Sequence, residues 1–214
     1  MNKIQTSKVE TSSRRATYQD VLDAPPHMVA EVVDGTLYTF PRPAMAHAIA
    51  SSVLGGIINP PFQFGRGGPG GWWILDEPEL HFGEDIVVPD LAGWRCERIP
   101  EFPTGAFCTL APDWVCEVLS PSTRKLDRGG KWAVYTCAGV CYHWFVDPDA
   151  RLLEAYVLRG TEWVQIDRLY GEVTVSLPPF DAIQFNLGDL WPPPTAHRET
   201  PRVQSDLESA EVLK

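Results

Sequence analysis

PDWVCEVLSPSTRKLDRGGKWAVYTCAGVCYHWFVDP, residues 112–148, carries the reading on which the fold turns. Its opening run, Trp114 to Leu119, is short, apolar and rich in β-branched residues, which is the pattern of a buried strand. Ser120-Pro121-Ser122-Thr123 reads as a turn and N-cap. A helix is then expected from about Arg124 to Cys137, closed by Gly139 at its C-terminal stop. Gly129-Gly130 lies inside it and costs about 1 kcal/mol per glycine relative to alanine, so a late start or a weak first turn is expected. Tyr142 to Val146 reads as a second strand ending at Asp147-Pro148.

One residue in this strand-helix-strand unit is out of character. Glu117 sits in VCEVL, with apolar neighbours on both sides, and a carboxylate there is expensive to desolvate unless it is paired or bound to a cation. A second run, VVPDLAGW (87–94), repeats the pattern with Asp90. Two carboxylates on neighbouring strands repel unless a cation lies between them, and Mg²⁺ suits such a site because it takes few protein carboxylates and keeps waters. On the helix, Arg124, Asp127, Lys131 and Tyr135 follow one another at steps of three and four residues and share a face. Ala133 and Val134 are left for packing, with Trp132 flanking. Arg124, Lys125, Arg128 and Lys131 form the densest basic cluster of the chain.

Working outward, Thr17 to Leu22 suggests a short helix stopped before Pro25-Pro26, and Glu31 to Phe40 a hairpin turning at Asp34-Gly35. Ala46 to Ile58 has helical spacing and is expected to end at Asn59-Pro60. GRGGPGG (65–71) is a loop, and Trp72 to Phe82 and Ile86 to Trp94 read as strands. Leu152 to Leu158, Trp163 to Leu169 and Val173 to Leu177 suggest a C-terminal β-meander. The expected class is α/β, a mixed β-sheet flanked by helices with that meander added. A single domain is expected over 14–192, between flexible segments at 1–13 and 193–214.

The chain has 214 residues, of which 28 are acidic and 18 basic, a net charge of −10. An acidic fold has no general attraction for phosphate backbones, so nucleic-acid binding would have to rest on the local basic cluster. Five cysteines without a CxxC read as reduced thiols rather than a disulfide framework or zinc site. No apolar run is long enough to span a membrane and no export signal is seen, so the expectation is a cytoplasmic protein.

The chain resembles the putative restriction endonuclease family, a bacterial branch of the PD-(D/E)xK nuclease superfamily. The resemblance rests on EVVDG (31–35), the helix with His47, VVPDL (87–91), PDWVCEVLSPST (112–123) and the spacing D-x-x-x-K-x-x-x-Y-x-x-x-GV (127–140). YHWFVDP (142–148) and LPPF…LGDLW (177–191) extend it over roughly residues 17–192. It implies a restriction-endonuclease-like core and metal-dependent hydrolysis of DNA. Asp90 and Glu117 would be the metal-binding acids, with the backbone carbonyl of Val118 as a further ligand. The metal would be Mg²⁺, or Mn²⁺ in its place. The superfamily lysine is usually two residues after the second acid, where this chain has Leu119, and Lys131 matches the family's displaced position on the following helix. Lys131 would orient the attacking water or stabilise the transition state. Glu31 matches an early glutamate of related nucleases. Asp127 and Tyr135 are further supporting candidates, and Arg124, Lys125 and Arg128 are candidates for substrate phosphate. Paired sites in a homodimer would suit cleavage of both strands of a duplex.

Plainer readings stand beside these. Asp90 after Pro89 also suits a strand-end turn, Lys131 a solvated helix face, Glu31 a hairpin surface, and His47 a capping or packing role. The acidic net charge also fits a nuclease-fold binding or regulatory module with little hydrolysis. A two-carboxylate glycosidase would leave the position of Lys131 unexplained.

Overall fold

A computed structural model describes residues 14–192, and the two expected flexible segments lie outside the described residues. The chain opens with a one-turn helix α1 (Tyr18–Leu22), whose N-cap Thr17 donates its backbone N–H to Asp20 at 2.8 Å. Strands β1 (Met28–Val33) and β2 (Thr36–Pro41) follow as a hairpin, with Val33 opposite Thr36. Asp34 and Gly35 both have positive φ, 49° and 69°, the conformation a two-residue hairpin turn demands. The expected turn is therefore found.

Helix α2 (Met45–Ile58) buries Ala50, Leu54 and Ile58 at steps of four. As expected, the α-helix ends at Ile58 with Asn59 as its C-cap, but the chain keeps turning. The helix widens into a π-helical turn, Asn59–Gln63, in which Phe64 donates its N–H to the Asn59 carbonyl five residues back. The first positions of this wide turn do not depend on the N–H that proline lacks, so Pro60 and Pro61 are tolerated. The glycine loop then folds back over this turn so closely that a Cβ at Gly68 would lie 2.4 Å from Pro61 Cβ.

Two runs expected to be single strands are each divided. The first gives β3 (Trp72–Asp76) and β4 (Leu80–Phe82), the second β5 (Asp85–Val87) and β6 (Leu91–Arg95). The breaks fall at Glu77-Pro78, where Glu77 has φ 45°, and at Pro89. Proline cannot donate to a ladder, so the chain leaves one sheet there and enters the other. β2-β1-β5-β4 form a four-stranded sheet, and β3 and β6 join β7 (Trp114–Val118), β8 (Tyr142–Asp147), β9 (Leu152–Arg159) and β10 (Glu162–Tyr170) in a six-stranded one of order β10-β9-β8-β7-β6-β3.

In the larger sheet β7 (Trp114–Val118) runs parallel to β8 (Tyr142–Asp147), and every other neighbouring pair is antiparallel. A parallel pair needs a long crossover. Here it is one helical segment, made of α3 (Arg124–Leu126), a π-helical turn Asp127–Lys131 and α4 (Trp132–Ala138). Gly139, at φ 78°, ends it, and Val140 donates to the Tyr135 carbonyl. Gly130 is where the segment meets the hairpin, since a Cβ there would lie 2.7 Å from Val33 Cγ1. On this segment Val134 packs inward as expected, but Ala133 is exposed.

β9 (Leu152–Arg159) and β10 (Glu162–Tyr170) continue the six-stranded sheet as a meander. The third expected meander strand instead gives β11 (Thr174–Val175), which pairs with β12 (Phe185–Asn186). Two cores flank the central strands. On one face Trp114, Cys116 and Val118 meet Leu54 and Ile58 of α2; on the other Val115 meets Leu126, Val134 and Tyr135 of the crossover. Side chains alternate along β7, so Glu117 shares the face of Val115 and is directed at the crossover helix.

Candidate active site

That alternation brings Glu117 to the helix residues spaced four apart. Lys131 Nζ lies 2.8 Å from Glu117 Oε1, 3.0 Å from Glu31 Oε1 and 3.6 Å from Asp127 Oδ1. It also donates to the Val88 carbonyl at 3.0 Å, and the Tyr135 hydroxyl donates to Glu117 Oε1 at 2.6 Å. The face expected to carry solvated charge thus points into the protein: Asp127, Lys131 and Tyr135 are all buried, and the Lys131 side chain is 3% exposed.

Asp90 is placed by the broken run. The β6–β7 register pairs Leu91 with Cys116, so one step further Asp90 falls opposite Glu117. Asp90 Oδ2 accepts the Val118 N–H at 2.7 Å, while its Oδ1 lies 3.1 Å from His47 Nε2. The N–H and C=O of one strand residue leave the same edge, so the Val118 carbonyl faces the side of Asp90. Its side chain, 17% exposed, is the more accessible of the two acids. Glu31 Oε1 accepts the Val88 N–H at 2.7 Å, so it ties the hairpin to this crossing segment as well as to Lys131. Asp90, Glu117, Lys131, Glu31, Asp127 and Tyr135 therefore form one constellation.

Electrostatically the group is overloaded with negative charge. Glu31, Glu117 and Asp127 face one lysine, and Asp90 adds a fourth acid whose own partners are His47 and the Val118 N–H. Burial pushes the Glu117 carboxyl well above its usual range; Lys131 opposes this, and Asp127, Asp90 and Glu31 add to it. Burial also raises Asp127, to about 6, again against Lys131. For Lys131 burial acts downward, but Glu117 and Glu31 prevail and hold it well above normal, so it stays an ammonium. For His47 burial acts downward, but the hydrogen bond and charge of Asp90, with the charges of Asp127 and Glu77, raise it on balance. The surplus is relieved either by protons on Glu117 and Asp127 or by a cation.

A Mg²⁺ ion fits these residues. The donors are hard oxygens, and the negative surplus lies where the ion would bind. Among the described residues no three His, Cys, Asp or Glu side chains make a ready metal cage.

The basic cluster is dispersed. Arg124 binds Asp147 at 2.8 Å, and Arg128 pairs with Glu154 while lying over the Phe145 ring. Lys125 is exposed and makes no ion pair among the described residues. His47, read from the sequence as a capping or packing residue, and the Val88 carbonyl, which the sequence reading did not single out, also take part. Neither has a spacing signal, since each reaches the site through tertiary packing.

A mixed sheet with acids on adjacent strands and a lysine on the parallel crossover defines a restriction-endonuclease-like protein. The family model described as Uma2, "Putative restriction endonuclease", matches residues 15–188, and the chain belongs to that family. Among solved structures, it is similar to a putative nuclease belonging to DUF820 from Anabaena variabilis ATCC 29413. That likeness has a TM-score of 0.66 at 24% identity, over 82% of this chain and 97% of the other, and it establishes the shared fold. No curated protein matches the chain.

Proposed function

We propose that the protein is a Mg²⁺-dependent endonuclease that hydrolyses DNA phosphodiester bonds. The observation that carries this reading is a buried cluster with more carboxylates than cations, in which Lys131 meets Glu117 and Asp90 lies opposite Glu117 in the sheet. Asp90, Glu117 and the Val118 carbonyl would hold the metal, with Mn²⁺ able to replace Mg²⁺. When bound, the metal supplies an acidified water and neutralises charge on the scissile phosphate. His47 fixes the rotamer of Asp90. Tyr135 and Lys131 orient Glu117, and the Lys131 ammonium would position the attacking water or the phosphoryl oxygen by releasing one of its present acceptors, Glu117, Glu31 and the Val88 carbonyl. Glu31 and Asp127 hold Lys131 in place. Lys125, together with Arg124 and Arg128 if substrate draws them from Asp147 and Glu154, would meet flanking phosphates. Asp90→Ala and Glu117→Ala should each abolish Mg²⁺-dependent cleavage of plasmid and oligonucleotide DNA, and activity surviving either change would sink the assignment.

A second reading is a binding or regulatory module of the same fold. The near-complete burial of Lys131 and Glu117 favours it, because a catalytic ammonium has to reach substrate. A folded protein that shows neither Mg²⁺ nor Mn²⁺ binding in calorimetry would select this reading over the first.

A further inference from the structure

Beside the candidate site runs a groove that the metal chemistry does not use. It has a volume of about 410 Å³, within the range of small-ligand sites, and lies between α2 and the end of β3. His47, Ser51, Gly55 and Asn59 line it at successive four-residue steps on α2, spanning about 18 Å at the helical rise. Asp76 and Glu77 form its other edge. The groove begins at the candidate metal-binding acid, since His47 holds Asp90 at 3.1 Å and the Glu77 N–H donates to the Asp90 carbonyl at 3.1 Å.

Three observations indicate what it takes. No Lys or Arg lines it and two acids do, so it repels phosphate. Two of its lining residues carry covered polar atoms without a protein partner, beneath the surface of the groove. His47 is 8% exposed and its Nδ1 is unpaired, and Asn59 Oδ1 is buried and unpaired. The Asp76 carboxylate makes no ion pair among the described residues. Finally, the wall is built of small residues: a Cβ at Gly56 would meet nothing within 4 Å, so a flat group can lie against the helix.

We infer that this groove binds a single unpaired nucleobase next to the scissile phosphodiester, read through its N–H edge by Asp76 and the serine hydroxyls. A base inside a duplex has that edge already paired, whereas a single strand presents it. The inference rests on the nuclease reading above and names the form of its substrate as single-stranded or locally unpaired DNA.

The test uses the full chain and a fluorescein-labelled mixed-sequence 12-mer, single-stranded or as a duplex, with Ca²⁺ replacing Mg²⁺ to hold off cleavage. Fluorescence anisotropy should show the single strand bound at least about tenfold more tightly than the duplex. Gly56→Phe fills the groove from its open side and should weaken single-strand binding at least about tenfold, with the melting temperature and calorimetric Mg²⁺ binding unchanged. Asp76→Ala, an exposed change that leaves the helix untouched, should weaken it in the same direction. Unchanged single-strand affinity in both variants, or a preference for duplex, overturns the inference. If Mg²⁺-dependent cleavage is absent yet both variants still weaken single-strand binding, the catalytic reading falls and the groove stands. If cleavage is present but neither variant affects binding, the groove falls and the catalytic reading stands.

Discussion

Lys131 is the residue on which the site balances. Its ammonium touches Glu31 and Glu117 and lies near Asp127, all buried. Removing one partner of a buried ionic group leaves charge uncompensated, at about 3–5 kcal/mol. Lys131→Met should therefore destabilise the metal-free protein by that order in urea unfolding and eliminate cleavage. Added Mg²⁺ should return part of the stability, and a variant as stable as wild type would refute this account of the cluster. Asp127 offers a pH signature. Its folded-state value of about 6 lies above the ordinary 3.8, so it is neutral in mild acid and becomes an unfavourable buried charge as pH rises through 6. Asp127→Asn should gain stability over wild type as pH goes from 4 to 7, by at most about 3 kcal/mol without metal. A difference that is flat with pH would count against it. How much of this was legible follows from each residue's neighbours. Glu117 is conspicuous because VCEVL is apolar, and Lys131 is found through family spacing. The burial of Lys131 is not legible, because lysine at helical spacing with nearby basic residues looks like a solvated face. The contact of His47 with Asp90 is not legible for a related reason: the two are 43 residues apart in sequence.

At the scale of elements, the strand-helix-strand unit was readable because its signals are local. An apolar run, a turn with serines, and Gly139 at positive φ each act within a few residues. The hairpin at Asp34-Gly35 was readable on the same grounds. The divided runs were not, because β3 and β4, or β5 and β6, have the same apolar pattern whether they continue or change sheets; only Pro78 and Pro89 mark the break. That break is what carries Asp90 out of the smaller sheet to face Glu117, so the least legible feature of the fold positions half of the site. The glycine pair of the crossover allows a direct test of its packing. Gly129 has open space where a Cβ would go, so Gly129→Ala should stabilise the protein by up to about 1 kcal/mol through helix propensity. At Gly130 the Cβ would lie 2.7 Å from Val33 Cγ1 and 3.1 Å from Leu126 Cδ1. Gly130→Ala should lose about 1–3 kcal/mol to overpacking, only partly offset by propensity. Chemical denaturation of the two variants should thus give opposite signs, and equal signs would mean that the crossover does not press on the hairpin as described.

For the whole molecule, the question is how a chain of net charge −10 would hold a polyanion. Proteins that bind DNA through many lysine and arginine contacts release many counterions, and their affinity falls steeply with salt, with a slope of about −0.7 to −0.9 per neutralised phosphate. Here Arg124 and Arg128 are occupied by Asp147 and Glu154, and Lys131 is enclosed, which leaves Lys125 as the free cation of the crossover among the described residues. On the proposed function, the attraction at the crossover would come from a metal held by Asp90 and Glu117. Two dependences should follow together. Oligonucleotide affinity measured against NaCl at fixed divalent-ion concentration should give a shallow log–log slope, of magnitude below about 2. Removing divalent ions with EDTA should abolish binding, because it exposes the bare carboxylates to the phosphate. The same ion should stabilise the fold by mass action, by about 2.7 kcal/mol at one hundred times its dissociation constant, and this gain should vanish in Asp90→Ala. A steep slope, near −5 or beyond, together with binding that survives EDTA, would show that a cationic surface holds the DNA and that the metal is not its anchor.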